Sequence, residues 1–216
     1  MNPETLHRLQ SLRVQNDQRR ADMDAARPLF EGLRQRHENG TAPRAVSAYQ
    51  LFQTPPSIAA MMVDALRFIP FAGQPPRILE PSAGLARLID AARARFPSAE
   101  ITAIEEAPQL AAELFQQERK GVTLLQRDFL TQSPNELGLF DIVLMNPPFH
   151  MRADIRHINH ALQFLSPSGM LAAICMNTKH RREAFEGIAT TWQPLPACSF
   201  KAEGTNVETV FLTLTK

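Results

Sequence analysis

The chain has 216 residues, of which 44% are hydrophobic and 21% are charged. This composition is typical of one globular domain with a sizeable core, and it excludes a fibrous or wholly disordered protein. The net charge of +1, from 23 Lys and Arg against 22 Asp and Glu, gives no field strong enough to indicate a polyanion partner by itself.

Membrane and metal-binding classes are not favoured by the sequence. No apolar run approaches the roughly 18 residues that a membrane-spanning helix requires, and the amino terminus MNPETLHRLQ lacks an apolar segment. We therefore expect a soluble, cytoplasmic protein that makes no membrane contact. The two cysteines, Cys175 and Cys198, are too few for a disulfide framework and lack metal-ligand spacing, so we predict no metal site.

Residues 1–45 are predicted to form a helical arm. Apolar residues such as Leu6, Leu9 and Leu12 are spaced roughly as one face of an amphipathic helix, and eight arginines oppose six acidic residues. The arm either contacts a nucleic-acid backbone or a second subunit, or it is a solvated helical extension. The turn-prone stretch ENGTAPRAV separates it from the body of the chain, residues 46–216.

The body alternates short apolar runs with longer amphipathic ones. Five runs are typical of strands: RILEP (77–81), EITAIE (100–105), VTLLQRD (122–128), FDIVLMN (140–146) and GMLAAICM (169–176). Helical patterns lie between them, near 84–95, 107–119 and 153–165. Runs of Ile, Val and Leu without alternation, separated by helices, predict a mostly parallel sheet buried on both faces, the doubly wound α/β class. The last segment, VETVFLTLT (207–215), alternates and is predicted to add an antiparallel hairpin at the sheet edge.

Polar and small residues follow the first three predicted strands, where open α/β sheets bind their ligands. The first run ends in Glu80-Pro81-Ser82-Ala83-Gly84, in which a glycine and small side chains let the backbone approach a ligand closely. Glu105, about twenty positions later, is placed to accept hydrogen bonds from ribose hydroxyls. Asp128 could accept from the exocyclic amine of an adenine and Phe129 could pack on its face. The alternatives are a solvated acid and a core phenylalanine, but consecutive strand ends of this kind favour one nucleoside ligand.

The fourth strand ends in Asn146-Pro147-Pro148-Phe149. The prolines restrict the backbone and hold the Asn amide oxygen in a fixed relation to the following carbonyl, which makes two acceptors for one NH2 group. Phe149 supplies a flat apolar face for a heteroaromatic ring. Although the prolines could simply end the strand, this arrangement suits methyl transfer to a planar amine, whose lone pair the two acceptors would localise.

The ordered series EPSAGLA, AIEE, QRDF and NPPF resembles the motifs of class I S-adenosylmethionine-dependent methyltransferases. It is most similar to the amino-methylating group that includes the phage- and plasmid-type adenine-N6 DNA methyltransferases. The segment LFQTPP (51–56) resembles the one that lies against the methionine part of the cofactor, and SFKAEGTNVETVFLTL resembles the closing hairpin. The resemblance covers about residues 42 to 216. It implies a Rossmann-like catalytic domain at 46–216 with S-adenosylmethionine as cofactor.

The resemblance also implies roles for individual residues. The residues expected to bind the cofactor are Thr54, Pro55, Glu80, Ser82, Ala83, Gly84, Glu105, Asp128, Phe129 and Asn146. The residues expected to form the target-amine site are Asn146, Pro147, Pro148 and Phe149. Leu85-Ala86 stands where such enzymes usually show a second glycine, a departure that predicts weakened but surviving cofactor binding.

The expected acceptor is N6 of adenine in DNA, and a target base inside a duplex would have to be flipped out. Similar motifs also occur in ribosomal RNA methyltransferases acting on guanine N2 or adenine N6 and in protein glutamine methyltransferases, while an inactive binding module of the same fold is the non-enzyme alternative. Basic residues after strands four and five are expected either to contact phosphates or to lie on a solvated face: Arg152, Arg156, Lys179, Arg181 and Arg182.

Overall fold

The computed structural model describes residues 52–66, 74–117, 119–203 and 205–216, without the side chains of residues 109, 113 and 202. The predicted arm at residues 1–45 lies outside the described residues, and its role stays a prediction. Within the described ranges, no helix combines the length and the apolar character that crossing a bilayer requires.

Seven strands form one sheet. In chain order they are β1 (Arg77–Glu80), β2 (Glu100–Ile104), β3 (Val122–Leu125), β4 (Phe140–Met145), β5 (Leu165–Met176), β6 (Thr191–Pro194) and β7 (Thr209–Thr215). Their spatial order is β3-β2-β1-β4-β5-β7-β6. The first five strands are parallel, and β7 runs antiparallel to both β5 and β6. The predicted doubly wound, mostly parallel sheet with an antiparallel carboxyl-terminal addition is therefore confirmed.

The helices connect these strands. They are α1 (Pro56–Asp64), α2 (Arg87–Arg95), α3 (Pro108–Gln116), α4 (Pro134–Leu137), α5 (Ala153–Ala161) and α6 (Lys179–Arg181), and α6 continues into one π-helical turn, Arg182–Glu186. Short 3-10 turns lie at Phe129–Thr131, His150–Arg152, Leu162–Phe164 and Lys201–Glu203. Three of the helices begin with proline at the first helical position, which needs no hydrogen-bond donor there.

Both faces of the sheet are buried, which explains why the strands lack an alternating pattern. On β1, Ile78 belongs to the core cluster that contains residues of α1 and α2, while Leu79 belongs to the cluster on the opposite face with residues of α5. On β4, Ile142 and Val143 divide between the two clusters in the same way. Successive side chains of a strand point to opposite faces, so a sheet covered on both sides requires consecutive apolar residues.

The carboxyl-terminal segment forms the predicted antiparallel hairpin at one edge of the sheet. Within this hairpin, β7 lies between β5 and β6. Residues Thr209 to Leu214 of β7 are all buried, because a strand pairs with β7 on each side and both faces of the sheet are covered. The strand at this edge is β6, which the sequence analysis missed and which contains Pro194. Proline is tolerated in an edge strand because it has no N–H to donate to a second neighbour.

Candidate active site

One cleft lies at the carboxyl ends of β1 to β4. It encloses about 950 Å³ of empty space, part of it open to solvent, and twelve of the thirteen predicted site residues line it. The exception is Pro55, which instead precedes α1 and accepts a hydrogen bond from the Ala59 backbone N–H at 2.9 Å. Residues far apart in sequence thus meet in one pocket, as ligand sites of open α/β sheets do.

The loop after β1 has the tight backbone turn that the sequence predicts. Gly84 adopts a φ of +51°, and a Cβ built there would lie 2.9 Å from Nε2 of Gln53. Ala86, at the position of the expected second glycine, also adopts the left-handed conformation, with a φ of 65°, and is fully buried. The chain therefore keeps the turn geometry at this position without glycine.

The segment before α1 closes the pocket from the other side. The Gln53 side chain is buried, and its Oε1 accepts a hydrogen bond from the Leu85 backbone N–H at 3.1 Å. Sequence analysis placed Gln53 in the LFQTPP segment but gave it no role. This contact joins residues 32 positions apart and leaves no local pattern to detect.

Glu105 ties the end of β2 to the first loop. Its Oε2 accepts from the Gly84 N–H at 2.8 Å, and its Oε1 accepts from the Ala107 N–H at 2.8 Å. Burial raises the pKa of the Glu105 carboxyl, and these backbone donors partly offset the rise. Each carboxylate oxygen retains a further lone pair, so the residue can still accept from a ligand hydroxyl.

Glu80 is the more isolated acid of the pocket. Its side chain is buried, Oε1 accepts from the Ser82 N–H at 3.1 Å, and Oε2 has no hydrogen-bond partner among the described residues. Burial raises the pKa of Glu80 well above its usual range, and the nearby charge of Glu105 raises it further. Two buried carboxyl groups that repel each other favour a ligand that carries positive charge.

The end of β3 forms a third wall. Asp128 Oδ1 caps the following turn by accepting from the Leu130 N–H at 2.8 Å. The Phe129 ring is 2% exposed and packs edge-on against His160, with ring centroids 4.8 Å apart. Phe129 is therefore a core residue that also lines the pocket wall, and its packing on an adenine stays a prediction.

His157, on α5, lines the same wall and was missed by the sequence analysis. Its ring centroid lies 5.9 Å from that of Phe129, and its Nδ1 is buried with no partner among the described residues. Burial lowers the pKa of His157 to about 4, so the imidazole is neutral at pH 7. A histidine on an amphipathic helix carries no local signal that would separate this position from a surface one.

Of the two polar atoms of the Asn146 amide, one has a hydrogen-bond partner among the described residues and the other has none. Its Nδ2 donates to the Phe52 backbone carbonyl at 2.7 Å. A carbonyl can only accept, so the amide nitrogen must face Phe52, and this contact fixes the orientation of the amide. Oδ1 is buried and has no partner among the described residues. An acceptor of this kind is expected to bind a donor on a ligand.

Phe149 forms an aromatic pair beside Asn146. Its ring stacks on Phe52 with centroids 6.3 Å apart and planes inclined by 28°, and it is 7% exposed. The backbone carbonyl of Phe149 accepts a hydrogen bond from Arg181 Nη2 at 3.2 Å. Two contacts therefore fix the Phe149 ring, which is predicted to stack on the methylated base: the ring packs on Phe52, and its backbone carbonyl is held by Arg181.

Arg181 belongs to a buried ion pair. Its Nη2 and Nε donate to the two carboxylate oxygens of Asp154 at 2.8 and 3.0 Å, and Asp154 is fully buried. Asp154 also accepts from the Met176 N–H at 3.3 Å, which connects α5, the end of β5 and the Asn146–Phe149 loop. Both expectations for Arg181, a phosphate contact or a solvated face, were wrong, because Asp154 sequesters its guanidinium.

Unpaired buried polar atoms concentrate in this cleft. Five such side-chain atoms occur in the described part of the chain, and four belong to pocket residues: Glu80 Oε2, Ser82 Oγ, Asn146 Oδ1 and His157 Nδ1. Buried polar groups in folded proteins are nearly always hydrogen-bonded. The cleft is thus suited to a ligand that supplies both hydrogen-bond donors and positive charge, as S-adenosylmethionine does.

Comparisons with solved structures agree with this fold. A protein from Listeria monocytogenes described as a class I S-adenosylmethionine-dependent methyltransferase is 18% identical, with a TM-score of 0.62 over 79% of this chain and 63% of that one. The methyltransferase subunit of a type I restriction-modification system from Streptococcus thermophilus is 20% identical, with a TM-score of 0.62 over 76% and 45%. The chain thus spans less than two thirds of either protein.

A third structure, from Pyrococcus horikoshii and described as an RNA methyltransferase, is 14% identical, with a TM-score of 0.58 over 85% of this chain and 98% of that one. No curated protein sequence matches the chain significantly.

The methyltransferase small domain family profile matches residues 76–194, which include β1 to β6 and most of the cleft. The matched segment holds the loop after β1, the acidic end of β2 and the Asn146–Phe149 motif. The fold is that of class I methyltransferases, whose cofactor is S-adenosylmethionine. This chain belongs to the methyltransferase small domain family.

Proposed function

We propose that the protein methylates an exocyclic amino nitrogen, namely N6 of adenine in DNA. The observation that carries the proposal is the state of Asn146: its Nδ2 is bonded to Phe52, and its Oδ1 is a buried acceptor without a partner among the described residues. An amide held in this orientation presents only an acceptor to the cleft, which suits a hydrogen of an amino group.

The cofactor half of the cleft is assigned from its charges and walls. S-adenosylmethionine supplies an electrophilic methyl group on a positively charged sulfur. The unpaired oxygen of Glu80 would face the positive charge of the cofactor, and Glu105 would accept from the ribose hydroxyls. Asp128, Phe129 and His157 line the cleft and would hold the adenine ring.

The acceptor half of the cleft prepares the amine. Asn146 Oδ1 and the Pro147 carbonyl accept the two hydrogens of the amino group, which favours a pyramidal nitrogen and localises its lone pair. These bonds strengthen as positive charge develops on that nitrogen, so they stabilise the transition state more than the ground state. The proline ring of Pro147 is buried and fixes the backbone of the second acceptor.

Adenine in DNA is preferred for two reasons. The sequence series from EPSAGLA to the closing hairpin resembles the adenine-N6 group, and a restriction-modification methyltransferase subunit has a similar fold. RNA is the second candidate, because the Pyrococcus horikoshii protein described as an RNA methyltransferase is covered over 98% of its length.

The test is an acceptor panel with methyl-labelled S-adenosylmethionine. Duplex DNA, single-stranded DNA, ribosomal RNA and a protein extract are incubated separately, and the labelled products are digested to nucleosides or amino acids. Labelled N6-methyladenine from DNA is the expected product. Label in RNA or glutamine alone contradicts the DNA assignment, and an absence of cofactor binding in calorimetry at millimolar concentration favours an inactive module.

A matched control separates the site from general damage. Asn177 lies outside the cleft lining, where its Oδ1 accepts from Arg182 Nε at 3.1 Å. Asn177→Ala removes the same amide as Asn146→Ala and is expected to retain activity. If both variants lose activity equally, the assignment of Asn146 to the acceptor site is wrong.

A further inference from the structure

The turn that follows Phe149 presents an apolar side chain to solvent at the rim of the cleft. Met151 is 84% exposed, the highest value among the exposed large hydrophobic residues of the described chain. Its sequence neighbour His150 lines the cleft. A long apolar side chain in this position is in contact with water unless a partner covers it.

The backbone of this turn is in an unfavourable conformation. Met151 and Arg152 have φ values of 47° and 58°, so two consecutive residues other than glycine are left-handed. Such conformations place Cβ too close to the following carbonyl and persist only where the surrounding structure imposes them. The strain therefore requires anchors on both sides of Met151.

The anchors come from three basic side chains. Arg181 donates to the Phe149 carbonyl at 3.2 Å, and Arg156 Nη1 donates to the Met151 carbonyl at 3.1 Å. Arg152 Nη2 donates to His180 Nε2 at 2.9 Å. The backbone of Met151 is thus fixed while its side chain projects outward, which is the property of a rigid wedge.

Basic side chains lie near this turn. Arg152, Arg156 and Lys179 are all exposed on the segments that meet at this turn. Lys179 has an acidic neighbour, Glu183, at 3.8 Å, but both side chains are more than half exposed, so the pair screens its charge weakly. An apolar tip near basic side chains fits a stacked nucleic acid, whose bases are apolar and whose phosphates are negative.

We infer that Met151 is a wedge that enters the base stack of duplex DNA and occupies the space left by the target adenine when it turns into the cleft. The inference rests on the proposed function. Proteins that distort duplexes insert apolar side chains, methionine among them, between base steps. Only His150, which lines the cleft, separates Met151 from Phe149, so the wedge lies at the rim of the predicted acceptor site.

The test compares methylation of one target sequence as a duplex, as a single strand and as a duplex with an abasic site opposite the target. For Met151→Ala, we expect the ratio of duplex to single-strand rates to fall about tenfold, equivalent to about 1.4 kcal/mol. The abasic duplex should restore most of the loss, since its target base is already unpaired. Ile188→Ala, which removes another exposed aliphatic side chain, should leave the ratio unchanged.

A second readout does not depend on turnover. With 2-aminopurine at the target position, the wild-type protein should raise the fluorescence on binding, and Met151→Ala should raise it less. An unchanged rate ratio together with an unchanged fluorescence rise overturns the wedge. A wild-type protein that methylates neither form of DNA overturns the proposed function instead, so the two failures are distinguishable.

Discussion

Replacing Arg181 with methionine should be among the most damaging single changes in the described part of the chain. The substitution keeps an apolar stem of similar length and removes four hydrogen bonds: two to Asp154, one to the Phe149 carbonyl and one to Thr178 Oγ1. Asp154 is fully buried and would be left with only backbone donors, from Ile155 and Met176. A buried carboxylate without its cation is strongly destabilising.

The expected loss follows from the burial of the pair. Arg181 is 6% exposed and Asp154 is fully buried, so solvent cannot replace the missing guanidinium. Breaking a buried ion pair by removing one partner costs about 3–5 kcal/mol. Arg181→Met should lower the free energy of unfolding in urea by about this amount, and the double variant with Asp154→Asn should recover part of it because no unpaired charge remains.

A neighbouring arginine gives a matched control. Arg182 is about half exposed and lies 3.9 Å from Glu186, so Arg182→Met should cost less than about 1 kcal/mol. Arg181→Lys should keep the charge but lose the bidentate contact, and its loss should fall between those of the other variants. If Arg181→Met costs no more than Arg182→Met, the pair does not anchor the Asn146–Phe149 loop as described.

Three further changes test individual contacts of the cleft. Gly84→Ala should cost about 1–2 kcal/mol in urea unfolding, because alanine is strained at a φ of +51°, and the displaced Gln53 should weaken cofactor binding in calorimetry; an unchanged stability would mean that the turn is not held. Because the pKa of Glu80 is raised, the folded protein without ligand binds this proton more tightly than the unfolded chain does, so Glu80 lowers stability as the pH rises above about 4.5. The cofactor-induced rise in Tm should therefore grow as the pH rises above this value. Glu80→Gln should remove this pH dependence of the Tm rise. His157, with its pKa lowered from 6.5 to about 4, takes up its proton first in the unfolded state, so stability should fall as pH drops from 6.5 to 4; a His157→Phe variant with the same pH dependence as wild type would contradict this.

The strands could be predicted from sequence because burial on both faces leaves a direct trace. RILE and FDIVLM are consecutive apolar runs of the length of a strand, and their residues divide between the two core clusters as expected. The strand ends then located the cleft, since parallel strands bring their carboxyl ends to one edge. Neither inference needs knowledge of distant contacts.

Long-range pairing explains what the sequence did not reveal. Arg181 and Asp154 are 27 positions apart, and nothing local distinguishes them from their exposed neighbours Arg182 and Glu183. The contact of Asn146 with Phe52 joins residues 94 positions apart. It fixes the orientation of the Asn146 amide, whereas the sequence predicted only its position at the end of a strand. The short edge strand β6 was missed because its four residues have no apolar run of their own.

The central claim is that the free oxygen of Asn146 acts on the acceptor amine rather than on folding or on the cofactor. The direct measurement is a single-turnover methyl-transfer rate at saturating S-adenosylmethionine for wild type and Asn146→Ala, with the cofactor Kd measured alongside. Removing one preorganised group of this kind should lower the rate about 100-fold or more. We expect this loss with a cofactor Kd changed by less than about tenfold, equivalent to less than about 1.4 kcal/mol. A rate close to wild type, or a loss explained entirely by cofactor affinity, would contradict it.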